Sequence, residues 1–417
     1  MVTPSQPTEC TLSQTTRNGP QLRRTLSLPQ LILYGLGTTV GAGIYALLGE
    51  ISSLAGYLAP WSFVVAGALA SLTAISFAVL SSRYPRAAGV ALYVQQGTGS
   101  AQLARIVGLL AIGAGLVSSA ALFNGLVGYT QEFFDLARPT IILSGVIGTV
   151  VIACWGINQS VWLAGTITLV EIGGLIWASI LAGSAWAANP TDLAVFVPAD
   201  TTHALPFVLS GAVLAFYAYI GFEDMIEVAE EVQQVKRNLP IAIIVTLIAT
   251  TVLYVLLIAT ALLATGPQYL ANSSAPLADL FRAVSEINPA TISAIALLAL
   301  VNGALIQIIM ASRIMYGLAS RGQLPVVFAR INPTTQTPIT ATLIAGSLVT
   351  IMALSGTVAI LAEITSVIIL CLFLMVNLSL LLLELRAPKH PGQRWLTATA
   401  ALGIVACAGL VIQAVFT

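Results

Sequence analysis

The sequence predicts an all-α polytopic membrane protein with eleven transmembrane helices. Ten form two inverted repeats of five, the eleventh is peripheral, and helices one and six are broken near mid-membrane. Three observations carry this expectation. The 417 residues are 58% hydrophobic and 8% charged, against roughly 45–50% and about 25% in soluble domains. The apolar residues gather into runs that suffice to cross a bilayer, which takes about 20 residues as a helix. Two of those runs, in corresponding positions of the two halves, are interrupted, the best sequence pointer to a carrier's midplane site.

The runs fall at 28–54, 61–82, 103–134, 139–155, 161–187, 206–234, 239–265, 289–320, 338–355, 358–385 and 395–416. Trp61, Trp155, Trp162, Trp186 and Trp395 stand near predicted span ends, where amphipathic rings favour the interface. With the N-terminus in the cytoplasm, fourteen of the sixteen Lys and Arg residues fall on that side and only Arg138 and Arg282 outside. This positive-inside bias predicts a cytoplasmic N-terminus and, with an odd number of spans, an external C-terminus. Residues 1–27, polar with Pro4, Pro7 and Pro20, read as a disordered cytoplasmic tail without the n-region and cleavage site of a signal peptide. The first repeat is expected over 28–187, the second over 206–386, and the peripheral helix over 394–417.

The first break lies in Leu33–Glu50, LYGLGTTVGAGIYALLGE, where Gly41-Ala42-Gly43 follows Thr38-Thr39. Glycine tolerates conformations that unwind a helix. Backbone left free in hydrocarbon is costly unless protein or a ligand satisfies it. Amides at a helix N-terminus suit a carboxylate. The spacing of Gly37 and Gly41 also fits a GxxxG packing pair. The second break is Phe216-Tyr217-Ala218-Tyr219-Ile220-Gly221-Phe222, followed by Glu223, Asp224, Glu227, Glu230 and Glu231. That much charge requires the second half of this span to line water or protein, although Glu230 and Glu231 also suit a solvated helix end.

From these breaks, the expected site places a substrate carboxylate on the amides of Ala42, Gly43 and Ile44 behind Gly41. Carbonyls of Thr39, Val40, Tyr217, Ala218 and Ile220 would take its ammonium. Gly221 frees the second backbone, and Phe216, Tyr219 and Phe222 would cover the pocket or simply pack. Small residues of the third span, together with Asn302, suggest a neutral, moderately roomy pocket. Glu171, near the middle of the fifth span, is costly in lipid and therefore a functional candidate. Three roles are open to it: binding and releasing a proton as a carrier alternates, coordinating sodium, or remaining protonated on a first-span carbonyl. Arg83 and Arg86 share a side with Glu227, Glu230 and Glu231 and would pair with them as an inner gate.

These pieces resemble amino acid permeases of the amino acid–polyamine–organocation superfamily over essentially the whole chain beyond the tail. The matching stretches are GTTVGAGIY (37–45), RYPRAAG (83–89), GINQSVWLAGTITLVE (156–171), FYAYIGFEDMIEVAEE (216–231), NLP (238–240), ASRIMYGLASRGQLP (311–325) and LAEITS (361–366). The resemblance implies a LeuT-like fold and secondary transport of amino acids or related amines. The sequence departs from the family pattern at Val235, often proline, at Ala88, often glycine, and at Glu171, where several proton-coupled relatives carry lysine.

The expected function is amino acid transport across the plasma membrane by alternating access, with protons as the coupling ion. The alternatives are an exchanger without ion coupling and a sodium-coupled carrier. A channel would need a continuous pore. A membrane-embedded enzyme lacks support, since His203, His390, Cys10, Cys154, Cys371 and Cys407 show no metal or redox spacing and no nucleophile–base pair is apparent. The bilayer and a small amino acid are the expected partners, with no cofactor, metal or nucleic acid.

Overall fold

A computed structural model describes residues 26–84, 89–155, 161–198, 200–226, 232–320, 322–333, 335, 337–386 and 394–416, and for 89, 155 and 161–165 the backbone alone. Among these residues the regular structure is helical, apart from one isolated parallel bridge between Leu26 and Val232. The helices are α1 (Leu28–Thr39), α2 (Ala42–Ala55), α3 (Ala59–Arg83), α4 (Gly89–Thr98), α5 (Ala101–Gln131), α6 (Arg138–Trp155), α7 (Val161–Ala188) and α8 (Thr201–Tyr217). They continue as α9 (Val235–Thr265), α10 (Pro267–Ala271), α11 (Pro276–Val284), α12 (Ala290–Ser320), α13 (Ile339–Ser355), α14 (Val358–Arg386) and α15 (Arg394–Phe416).

Seven helical stretches among the described residues are long and apolar enough to cross a membrane, and Arg138–Cys154, Thr201–Tyr217 and Ile339–Ser355 are shorter apolar helices. The chain is a multi-pass membrane protein. α5 is the most enclosed of the seven, with 72% of its apolar window buried, and α15 the least, with 22%. α5 packs on α12, α14 and α13, while α1 lies between α7 and α9. α3 and α14 meet at a polar seam, where Ser76 Oγ donates to Asn377 Oδ1 at 2.6 Å and Asn377 Nδ2 donates to Thr73 Oγ1 at 2.9 Å, and α15 joins it through Cys407 Sγ, 3.8 Å from Thr73 Oγ1. Gly403 lets α15 approach, since a Cβ there would lie 2.8 Å from the Asn377 amide.

Both expected breaks are present. α1 stops at Thr39, Val40 and Gly41 leave helical geometry (φ/ψ −86°/65° and −133°/−128°), and α2 restarts at Ala42. α8 stops at Tyr217, and a turn through Gly221 at φ +126° leads into a 3-10 turn over Phe222–Ile226. The two breaks face each other. A Cβ on Gly221 would collide with the Thr38 carbonyl oxygen, and one on Gly43 would meet Ala218 Cα at 2.8 Å. At the face where α1 begins, here the N-terminal face, the Gln233 amide donates to the Leu26 carbonyl at 2.9 Å, so the chains entering α1 and α9 are tied together.

On the opposite face α10 and α11 lie across α2 and α5. Two glycines admit them: a Cβ on Gly49 would stand 2.7 Å from the Leu270 carbonyl oxygen, and one on Gly128 would collide with that of Ser274. Arg282 of α11 pairs with Glu132 beyond the end of α5 at 2.5 Å and with Asp279.

Gly221→Ala should lower the unfolding free energy by about 2 kcal/mol or more, because it strains the backbone and strikes the Thr38 carbonyl. Gly173→Ala, where a Cβ meets nothing within 4 Å, should leave the thermal midpoint in detergent unchanged or slightly raised.

Candidate functional site

Breaking two helices side by side frees several backbone groups in an apolar interior. The last carbonyls of α1 and α8 and the first amides of α2 have no intrahelical partner. One side chain from α9 takes up the two carbonyls nearest each other: the Tyr254 hydroxyl donates to Thr39 O at 2.9 Å and to Ala218 O at 3.1 Å. Tyr254 is fully buried, and its ring packs edge-on against Phe63 and Tyr219. Tyr217 secures the α8 side, its hydroxyl lying 3.0 Å from Ser118 Oγ and donating to Ser118 O at 3.1 Å on α5. Glu223 caps the turn by accepting the Gly221 amide at 2.9 Å. The α2 N-terminus is left without a side-chain cap, so its first-turn amides and the positive end of its dipole remain available.

These amides open onto a cavity of about 40 Å³, room for only a few waters. Both breaks line it, through Thr39, Gly41, Ala42 and Gly43 on one side and Tyr217, Ala218 and Ile220 on the other. α5 adds Ser118 and Leu122, and α12 adds Asn302, Ile306 and Gln307. Two carboxyl groups complete the wall, Glu171 from α7 and Asp224 from the 3-10 turn, and no Lys, Arg or His is among the lining residues. The expectation of a neutral and roomy pocket is therefore corrected. The turn at 218–221 brings Asp224 to a cavity that Glu171 also lines, and Leu122, Ile306 and Gln307 line it together with Ser118 of α5.

Glu171 is 1% exposed, and neither carboxyl oxygen has a hydrogen-bond partner among the described residues. It stands beside the first break, since a Cβ on Gly41 would lie 3.7 Å from its Oε2. The bond from its carboxyl to a first-span carbonyl, considered from sequence, is not made. The α1 carbonyl nearest the break is taken by Tyr254, and the link from Glu171 to the broken helix runs through the backbone: Tyr45 OH donates to Glu171 O at 2.9 Å. A buried carboxyl without a partner costs more than the roughly 1–3 kcal/mol of a neutral polar group unless a proton or cation satisfies it.

Several expected residues stand apart from the cavity. Val40 and Ile44 are fully buried in the surrounding core, so only their backbone can serve a ligand. Phe216 packs on Phe373, and Tyr219 turns toward α3, where its hydroxyl donates to Phe63 O at 2.9 Å. Phe222 packs on Phe77 and Phe373, and Gly221 sits against the Thr38 carbonyl. Of the expected gate, Arg86, Glu227, Glu230 and Glu231 lie outside the described residues. Arg83 pairs with Glu384 at the end of α14 at 2.5 Å, a partner that sequence reading did not offer because it is 301 positions away. Tyr254 and Gln307 were also missed, and Asp224 was named only as part of the charged half of its span. A tyrosine amid the apolar run of α9 was the only signal for the first.

A family model described as amino acid permease matches residues 26–417. The chain belongs to the amino acid permease family. This permease is 30% identical over 397 residues to the vacuolar cationic amino acid transporter 4 of Arabidopsis thaliana, covering 89% of this chain and 65% of that one. It is 28% identical over 402 residues to the mitochondrial cationic amino acid transporter 3 of the same plant, covering 90% and 65%. An uncharacterized transporter of Mycobacterium tuberculosis is 30% identical over 343 residues, covering 80% and 74%. The permease thus spans just under two thirds of the length of these plant relatives.

Tyr254→Phe leaves the Thr39 and Ala218 carbonyls without their donor. It should cost about 1–3 kcal/mol, read as a lowered thermal midpoint, while Tyr269→Phe, at an exposed hydroxyl, should not.

Proposed function

We propose that this permease is a secondary transporter that carries amino acids, cationic ones in particular, across the plasma membrane by alternating access. The observation that carries the proposal is the pair of facing breaks around a cavity lined by free α2 amides and two carboxyl groups. In this reading the fold is LeuT-like, with repeats over 28–187 and 206–386, a peripheral helix over 394–417, eleven crossings and a cytoplasmic N-terminus. The substrate carboxylate lies on the amides of Ala42, Gly43 and Ile44, where the α2 dipole favours an anion. Its ammonium lies among the carbonyls of Thr39, Val40, Tyr217, Ala218 and Ile220. The Thr39 and Ala218 carbonyls can serve it while bonded to Tyr254, because each oxygen has two lone pairs.

The cationic class is supported by two features. The cavity wall carries Glu171 and Asp224 and no basic side chain, which favours positive charge. The plant relatives are named as cationic amino acid transporters. The small cavity implies that both sides must open in turn to admit and release cargo. Glu171 is the coupling group: it takes a proton when its side of the cavity is hydrated and gives it up in the alternate arrangement, so the two states differ in proton affinity as coupling requires. On the N-terminal face, pairing of Arg83 and Arg86 with Glu227, Glu230 and Glu231 remains part of the proposal, and for Arg83 it requires exchange of its Glu384 partner. Exposed pairs contribute only about 0–1 kcal/mol each, so packing closes the gate and charge biases it.

Uptake into proteoliposomes with a panel of amino acids and imposed proton or sodium gradients tests this reading. A carrier saturates and exchanges labelled for unlabelled substrate; ion flux without counter-exchange would identify a channel. Glu171→Gln should abolish accumulation driven by a pH gradient while exchange persists, because the amide cannot titrate. Retained pH-driven accumulation would remove Glu171 from coupling. Dependence on sodium alone, or on no gradient, would establish one of the alternative carriers. Asp224→Asn should weaken lysine or arginine uptake about tenfold relative to a neutral amino acid, as expected for loss of a charge-assisted contact.

A further inference from the structure

We propose that the cavity on the opposite face is a second amino-acid site, which holds a zwitterion between Arg138 and Glu50 on its way to or from the central one. The inference rests on the reading of the chain as an amino acid carrier, and it concerns residues outside the central cavity.

The opposite-face cavity measures about 260 Å³, against about 40 Å³ for the central one. Its floor is α2, its walls are α5 and the start of α6, and its roof is the segment between α10 and α11. α2 serves both cavities along one face: Ala42 and Gly43 line the central cavity, and Tyr45, Ala46, Gly49 and Glu50 line the other. At 1.5 Å per residue, Glu50 stands roughly 10 Å along the helix from Gly43. α2 and α5 approach closely at this cavity, for a Cβ on Gly125 would lie only 2.9 Å from Ala46 Cβ. The Tyr129 hydroxyl braces that contact by donating to Tyr45 O at 2.9 Å.

The charges in this cavity are of opposite sign and stand apart. Arg138 Nε and Nη2 donate to Asn124 Oδ1 at 3.2 and 2.7 Å, and Nη2 also reaches Ala353 O at 2.9 Å and Gly356 O at 2.6 Å. All these acceptors are neutral. They fix the guanidinium in place without cancelling its charge, and no carboxylate pairs with it among the described residues. Glu50 is half-buried on the cavity wall and has no ion pair or hydrogen bond among the described residues. The nearby Arg282 does not neutralise it, being held between Glu132 and Asp279.

One fixed cation and one separate anion lining a single cavity complement a molecule with both charges. Guanidinium recognises a carboxylate through paired N–H donors, and Glu50 accepts an ammonium. A simple anion or a simple cation would satisfy only one of the two. The position on the same face of α2 as the central amides makes this a waiting site on the substrate's route.

Equilibrium binding of radiolabelled arginine to the purified full-length permease in lipid nanodiscs tests the assignment. Two molecules should bind per chain. Glu50→Gln should weaken one of the two by about tenfold or more through loss of a charge-assisted contact, reducing the count to one at concentrations that fill the central site. Arg138→Gln should do the same. Because Arg138 also ties α5 to the end of α13, Glu50→Gln is the variant that decides, since no described bond is lost with it. A count of one that Glu50→Gln leaves unaltered in number and affinity overturns the second site and leaves the central one standing. No arginine binding at all overturns the carrier reading itself, and the second site with it.

Discussion

The arrangement depends on how unwound backbone is satisfied in a medium without water. Breaking a helix in a bilayer exposes amides and carbonyls whose desolvation costs several kcal/mol each. Here one buried hydroxyl, that of Tyr254, serves a carbonyl from each break. The two interruptions are consequently a single structural unit. Contacts that admit no side chain, Gly43 on Ala218 and Gly221 on the Thr38 carbonyl, hold the unit closed on a small cavity. The amides of α2 are the groups left over, without a side-chain cap.

Charge is distributed to the same end. The lining of the central cavity carries only acidic charge, whereas the arginines with described partners stand at the two faces. Arg83 joins α3 to α14 on the N-terminal face, and Arg282 and Arg138 brace helices on the other. Both arginines of the opposite face thus serve as structural ties.

Much of this was legible in the sequence because it follows from composition and local chemistry. Each predicted apolar run carries helix in the described residues, since the lack of water compels a chain of this composition to satisfy its backbone within helices. The breaks at Gly41 and Gly221 were legible because glycine is the residue that relaxes a helix and tolerates φ +126°. Glu171 stood out as the one carboxyl in the middle of an otherwise apolar span. Less legible was the direction of side chains beside a break. Phe216, Tyr219 and Phe222 lie within the interrupted stretch, yet they turn to the core, because a turn rotates each successive side chain through an angle that the helical period does not give.

By itself, the sequence determined the helical class, the membrane setting and the positions at which helices yield, all properties of single residues or single segments in hydrocarbon. Only the tertiary structure decided which groups meet. Tyr254 stands 215 positions from Thr39 and Arg83 301 from Glu384, and Asp224 and Glu171 line one cavity only because the turn at 218–221 brings Asp224 to it. Such pairings depend on how ten or more helices pack side by side, and a helix's own pattern says which face is apolar without saying which neighbour will cover it. The physical reason is that in lipid nearly every face is apolar, so the choice of partner rests on small residues, close approach and a few buried polar atoms that only the folded arrangement assembles.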